Sequence, residues 1–157
     1  MEKQIRMDYM IRQANKFDIE AIVRMLKSYR EQAPTQFLKD ANNREHIDKL
    51  LANILAGAGF ILLAEKDDEA VGMVIAAQHP NIWNPDVSQV SEIAFWLDEA
   101  HRGGKLAHRL LHGYIQQCEE WKQENRIQFF AISKMVNSPD LSYDKFGFEK
   151  LEETWIK

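Results

Sequence analysis

The chain has 157 residues, 45% of them hydrophobic and 28% charged, with a formal net charge of −4. That balance fits one folded domain over residues 1–157, large enough to bury a core, and excludes a disordered chain or a general nucleic-acid-binding surface. The single Cys118 has no partner for an internal disulfide, no apolar run reaches the roughly 20 residues of a membrane helix, and the opening Met1–Arg6 lacks a signal-peptide core, so a cytoplasmic protein that engages neither membrane nor nucleic acid is expected.

Weak alternation over Met7–Gln13 predicts a first strand. Asn15 or Asp18 can cap a helix running to about Tyr29, because Ile19, Ile22, Val23, Leu26 and Tyr29 recur at helical spacing. Pro34 breaks that pattern. A second helix is predicted over about Arg44–Ala56, with Ile47, Leu50, Leu51, Ile54 and Leu55 on one side and Gly57 and Gly59 ending it. Phe60–Ala64 and Val71–Ala76 flank the polar turn Lys66–Glu69 and read as a hairpin. His79–Asp86 is rich in proline and asparagine, which predicts a loop, and it carries Trp83. A strand over about Ser88–Leu97 follows, then a helix over about Gly104–Trp121 with the stripe Leu106, Leu110, Leu111, Tyr114, Cys118 and Trp121. Ile127–Ile132 is a further strand. Asn137–Phe146 is a loop entering a short helix, Gly147 closes it, and Phe148–Ile156 is a last strand. Helices interleave with strands in a single α/β domain.

The segment from Glu92 to Leu111 is the most informative. It runs from apolar strand through the basic glycine turn His101-Arg102-Gly103-Gly104-Lys105 into an amphipathic helix. The first N–H groups of a helix have no helical acceptor, and the helix dipole favours negative charge there. Two cations beside such a terminus make an anion site, with a phosphate-bearing cofactor as its natural occupant. Glu92, upstream on the strand, would add an acid or base. The bland alternatives are a solvated turn, and a Glu92 that faces solvent from a half-exposed strand.

These elements and motifs resemble the Gcn5-related N-acetyltransferase (GNAT) superfamily. Arg102-Gly-Gly-Lys-Leu-Ala107 matches its cofactor motif, Arg/Gln-x-x-Gly-x-Gly/Ala, with the usual leucine pair at Leu110 and Leu111. Tyr143-Asp-Lys-Phe-Gly147-Phe148 matches a second feature, Tyr-x-x-x-Gly-Phe, and Glu92-Ile-Ala-Phe95 is similar to the motif strand of the histone acetyltransferase branch. Lys105 departs from the pattern, standing where the family has its middle glycine; this register requires a negative φ there. A second register places Gly104 as that glycine and His101 at the Arg/Gln position. Asn137 lies one residue closer to Tyr143 than the family's loop asparagine does. A single strand follows Gly147, which leaves an edge that a homodimer partner could cover.

The resemblance implies a mixed, mostly antiparallel central sheet flanked by helices and splayed at the acetyl-CoA site. It implies acetyl transfer from acetyl-CoA to a primary amine of a small molecule or protein, by direct attack on the thioester. A non-catalytic acyl-CoA-binding or protein-interaction module of the same fold is the alternative. Backbone groups of Phe95, Trp96 and Leu97 would hold the pantetheine arm, and Arg102, Gly103, Gly104, Lys105, Leu106 and Ala107 the pyrophosphate, with Asn137 and Lys145 as further cofactor contacts. Glu92 would be the base and Tyr143 the acid toward sulfur.

Other readings stay open from the residues alone. Tyr143 could be a buried tyrosine with a satisfied hydroxyl, Cys118 a core residue, and Trp83 and Trp96 either packing or pocket walls. His108 and His112 stand four apart on the helix, with His101 shortly before, and could share a metal, but Arg109 stands where the zincin pattern needs glutamate, so no metal is expected.

Overall fold

A computed structural model describes residues 8–157. Residues 1–6, where no signal-peptide core was expected, and Met7, the start of the first expected strand, lie outside the described residues. The elements run β1 (Met10–Gln13), α1 (Ile19–Glu31), α2 (Gln36–Asp40), α3 (Arg44–Asn53), β2 (Gly59–Lys66), β3 (Glu69–Pro80), β4 (Ser88–Leu97), α4 (Leu106–Gln123) and β5 (Phe129–Ala131). The sheet order is β1-β2-β3-β4-β5, antiparallel throughout except for the parallel pair β4–β5. Among the described residues no helix is long and apolar enough to cross a membrane.

Local chemistry accounts for the boundaries. Asn15 and Asp18 both act at the entrance to α1, in a reciprocal box where Asn15 Oδ1 accepts from Phe17 N (2.9 Å) and Asp18 Oδ2 from Asn15 N (2.8 Å). Arg12 ties this corner to β1 and β2, pairing with Asp18 at 2.8 Å and Glu65 at 2.6 Å. The β2–β3 hairpin closes through Asp67 and Asp68, whose φ of 52° and 63° suit a two-residue turn that follows the sheet's twist.

Strand alternation divides the core between the two sheet faces. Phe60, Leu62 and Ala64 of β2 point to α4, whose stripe Leu106, Leu110, Leu111, Tyr114, Cys118 and Trp121 is buried against them. Ile61 and Leu63 point the other way, to Ile22 and Met25 of α1 and Leu51 of α3. Cys118 is therefore a core residue, fully buried.

Two irregularities of β4 open the sheet at one end. Ile75 of β3 faces Ala94, whereas Ala76 faces Glu92, so Ile93 is an extra, bulged residue. The bulge flips the alternation: Val90 packs with the α4 core, Ala94 and Trp96 with the α1 core, and Phe95 and Leu97 with the α4 side again. The parallel ladder with β5 holds only at Gln89/Phe129, Val90/Phe130 and Ser91/Ala131. From Glu92 to Leu97, β4 keeps β3 on one side and, among the described residues, has no strand on the other. This is the expected splay.

Several expectations change. α4 starts at Leu106 rather than Gly104, because Gly103 takes φ +91° and Lys105 is the cap. α3 ends at Asn53 and widens into a π turn over Ile54–Ala58, with Gly57 at φ +123°. β3 continues through Pro80, paired with Ser88, so the loop begins at Asn81. β5 covers Phe129–Ala131 instead of Ile127–Ile132, and α2, capped by the Thr35 hydroxyl, was not expected. The last strand, Phe148–Ile156, does not form. Its start is anchored where Phe148 meets Phe130 edge-on at 5.7 Å, but three-residue β5 is too short a template to continue the ladder. Leu151, Trp155 and Ile156 are left exposed.

Candidate functional site

A cavity of about 370 Å³ fills the gap where β5 parts from β4. Glu92, Phe95, Trp96 and Leu97 of β4 form its floor, and Arg102, Gly103, Gly104, Ala107 and His108 one end. Tyr29 and Gln32 at the end of α1, the 133–141 loop and Tyr143 close the remainder.

The turn before α4 holds backbone donors that an anion could use. The Arg102 N–H is spent on the Glu99 carbonyl at 3.2 Å. From Gly103 through His108 no N–H reaches a backbone carbonyl among the described residues; the first bond across the helix start is Arg109 N to Lys105 O, 3.0 Å. A run of donors fixed beside an open cavity gives a negative group preformed partners and the positive end of an 18-residue helix. Lys105 has φ −92°, the negative value its register requires. Arg102 folds back over β4 instead of projecting outward. Its Nε donates to the Leu97 carbonyl at 2.8 Å and its guanidinium lies 4.5 Å from the Trp96 ring centre. Trp96 is held in turn by Nε1 donation to Asp98 (2.9 Å), which Arg24 of α1 pairs at 3.1 Å.

Glu92 is 8% exposed, which excludes the solvent-facing alternative. Burial raises its pKa to about 7, opposed by donation from the Ser133 N–H at 3.4 Å. Tyr143 and Tyr29 are both pushed up to about 12, first by burial and then by the Glu92 charge. Among the described residues the Tyr143 hydroxyl has no hydrogen-bond partner and the half-buried side chain lines the cavity, which is not the setting of a satisfied core tyrosine.

The raised pKa of Glu92 has a stability consequence. In the folded chain the carboxyl holds its proton more tightly than its ordinary value of 4.5 allows, so its contribution is full below about pH 4.5 and is lost as pH climbs through about 7. The loss amounts to roughly 3 kcal/mol. Glu92→Gln, neutral at every pH, should show a flatter decline in unfolding free energy over that window than the wild type in denaturant titrations.

Most of the expected site residues meet in the cavity: Glu92, Phe95, Trp96, Leu97, Arg102, Gly103, Gly104, Ala107, Asn137 and Tyr143 all line it. Lys105 and Lys145 do not line it and are exposed at the surface, and the Leu106 side chain is in the core, which leaves only its N–H to the turn. Asn137 donates from Nδ2 to the Gln32 carbonyl at 2.6 Å, tying the 133–141 loop to the end of α1 and leaving its oxygen to accept. Trp96 is both wall and packing; Trp83, 89% exposed, is neither. His108 stacks on Phe146 at 6.0 Å, and among the described residues no three His, Cys, Asp or Glu side chains cluster as a metal site. Tyr29 and Ser133 were missed. Tyr29 carried a signal, a phenol ending an apolar stripe; Ser133 acts through its backbone and carried none.

The family model described as acetyltransferase (GNAT) matches residues 21–148. No curated protein matches the chain. Among solved structures the chain is similar to a GCN5-related N-acetyltransferase from Ralstonia eutropha JMP134, at 17% identity and TM-score 0.73, over 96% of this chain and 98% of that one. It is also similar to a ribosomal-protein-alanine N-acetyltransferase from Brucella melitensis biovar Abortus 2308 (18%, TM-score 0.62, 95% and 98%). A third likeness is a predicted acetyltransferase with acetyl-CoA from Clostridium acetobutylicum (17%, TM-score 0.66, 96% and 95%). At these identities the likenesses establish the fold.

Proposed function

The chain belongs to the acetyltransferase (GNAT) family, and we propose that residues 1–157 work as one cytoplasmic domain that acetylates a primary amine of a small molecule or a protein. The observation that carries this reading is the buried Glu92, pKa about 7, in the same cavity as a run of unspent N–H donors. The residues present fit acetyl-CoA. Gly103 to Ala107 offer donors for a diphosphate, the edge of β4 that no strand pairs among the described residues offers backbone groups to an amide-bearing arm, and the cavity between them leads to Glu92. Asn137 Oδ1 is a further acceptor on that path.

Acetyl-CoA, when bound, supplies a thioester whose C–S bond breaks as the amine nitrogen forms the new C–N bond. Glu92, ionised above about pH 7, takes the proton the amine must lose, directly or through water. Its pKa sits near neutrality, so a large fraction is deprotonated near pH 7 while the carboxylate is still basic enough to accept. Tyr143, neutral with a pKa near 12, donates its O–H toward the departing sulfur. A thiol's ordinary value of about 8.5 lies well below that, so the tyrosine stabilises the thiolate by a hydrogen bond and does not surrender its proton outright.

Tyr143→Phe should therefore lower kcat on the order of 10–100-fold with the KM for acetyl-CoA nearly unchanged, as steady-state thiol release would read. The whole reading is tested by offering acetyl-CoA with a panel spanning small amines, peptide N-termini and lysine side chains. Thiol release that depends on one amine class, with an acetyl mass added to it, supports the proposal; CoA binding with no turnover on any class would leave a binding module instead.

A further inference from the structure

Among the described residues Tyr114 is the largest fully buried side chain, at the centre of the α4 stripe and against Phe60 and Phe130. A phenol in such a place needs a partner. Its hydroxyl donates to the carbonyl of Ala131, the last residue of β5 paired with β4. Two residues further, the Ser133 N–H points back to Glu92 Oε1 at 3.4 Å. The place where β5 leaves the sheet is thus tied to α4 by one hydrogen bond, and the donor that meets Glu92 follows immediately.

We infer that Tyr114 is a positioning residue for Glu92: from inside the core it fixes the exit of β5, so that the Ser133 N–H is presented to the carboxylate and the cleft stays open beside it. The inference rests on the reading of Glu92 as the base. Phe130 packs against Tyr114 at 6.1 Å and Phe148 against Phe130 at 5.7 Å, so the rings around the exit make apolar contacts and only the hydroxyl gives a directional one. Among the described residues the tyrosines that feel the Glu92 charge come from three elements, Tyr29 from α1, Tyr114 from α4 and Tyr143 from the 3-10 turn at 143–146, while Arg102, His108 and Lys134 line other parts of the same cavity without shifting the carboxyl. The three tyrosines are acids that stay neutral near pH 7, and the Ser133 N–H is the group that favours the carboxylate.

The test compares wild type, Tyr114→Phe and Glu92→Gln by two readouts. The first is the carboxyl ¹³C titration of Glu92 in the free protein, and the second the pH profile of kcat/KM. Loss of the hydroxyl frees the β5 exit and weakens a hydrogen bond made to the charged form, so the Glu92 midpoint should rise by about half a unit, a threefold tighter proton. The acidic limb should move with it, the KM for acetyl-CoA staying within twofold. Trp121→Phe, on the same helix stripe, should leave the midpoint unmoved, which separates this effect from general loosening of the core. Should Tyr114→Phe not fold, Tyr114→Met fills the site flexibly and also lacks the hydroxyl. A Glu92 midpoint in the hydroxyl-free variant equal to that of wild type overturns the inference. An acidic limb that survives in Glu92→Gln overturns the base assignment instead, while the ¹³C titration still reports whether Tyr114 positions the carboxylate.

Discussion

Glu92→Gln is expected to lower kcat/KM for the amine by about 10²–10⁴-fold at pH near 8, the range that a positioned general base supplies. Glutamine keeps the shape and hydrogen-bonding of the side chain but has no charge to take a proton. The affinity for acetyl-CoA should stay within a few-fold, because the donors proposed for the diphosphate belong to the backbone at the other end of the cavity. Activity should not vanish, since holding the amine against the thioester contributes on its own. In wild type, kcat/KM should climb through an acidic limb near pH 7 set by the buried carboxyl, and that limb should be missing from the variant. The variant should also be the more stable of the two above neutrality, where wild type buries a charge. A loss of activity from misfolding would run the other way. Steady-state pH profiles and denaturant titrations on one preparation separate the two causes.

Gly103→Val should weaken CoA by about 5- to 150-fold, measured by calorimetry. Gly103 holds φ +91°, which a β-branched residue can adopt only at a strain of about 1–3 kcal/mol. Relief of that strain rotates the peptide planes on both sides and turns the N–H groups of the turn away from a shared target. Gly104 provides the control. Its φ is not positive, and a Cβ there meets nothing within 4 Å, so Gly104→Ala should change the affinity of the chain for CoA far less. Equal losses at both positions would mean that bulk, not backbone conformation, governs the turn.

The framework was readable from residue pattern. The stripe from Leu106 to Trp121 gave α4 and its buried face, and the alternation through Phe60–Ala76 gave the central hairpin; both follow from apolar spacing, which the core then enforces. The glycine turn before α4 was legible because glycine has a specific use there: at Gly103 the chain does take the left-handed conformation, and Lys105 sits at a negative φ where a side chain is accommodated. What spacing could not give was anything decided across the sheet. The bulge at Ile93 depends on the register with β3, and it is the bulge that sends Glu92 and Ala94 to different faces. The failure of Phe148–Ile156 as a strand depends on the shortness of β5, a neighbour far away in sequence.

The same division holds in the site. Arg102 was expected beside a phosphate because of its charge, yet its guanidinium lies over Trp96 with Nε on the Leu97 carbonyl, a contact that no motif encodes. Lys105 and Lys145 were chosen for charge as well, and both stand outside the cavity wall. Tyr29 and Ser133 reach the cavity from elements more than 100 residues apart in sequence, brought together by the splay. The chemistry of a site is legible where backbone conformation demands a residue type, and illegible where a side chain is merely long enough to reach several places.

The most direct test follows the amide ¹H–¹⁵N resonances while CoA is added to the free protein. The resonances of Gly103, Gly104 and Ala107 should move with saturation at the same concentration that saturates binding, whereas those at the far end of α4, around Lys122, stay in place. CoA that binds to saturation with the Gly103–His108 amides unmoved would contradict the assignment of this turn as the diphosphate site.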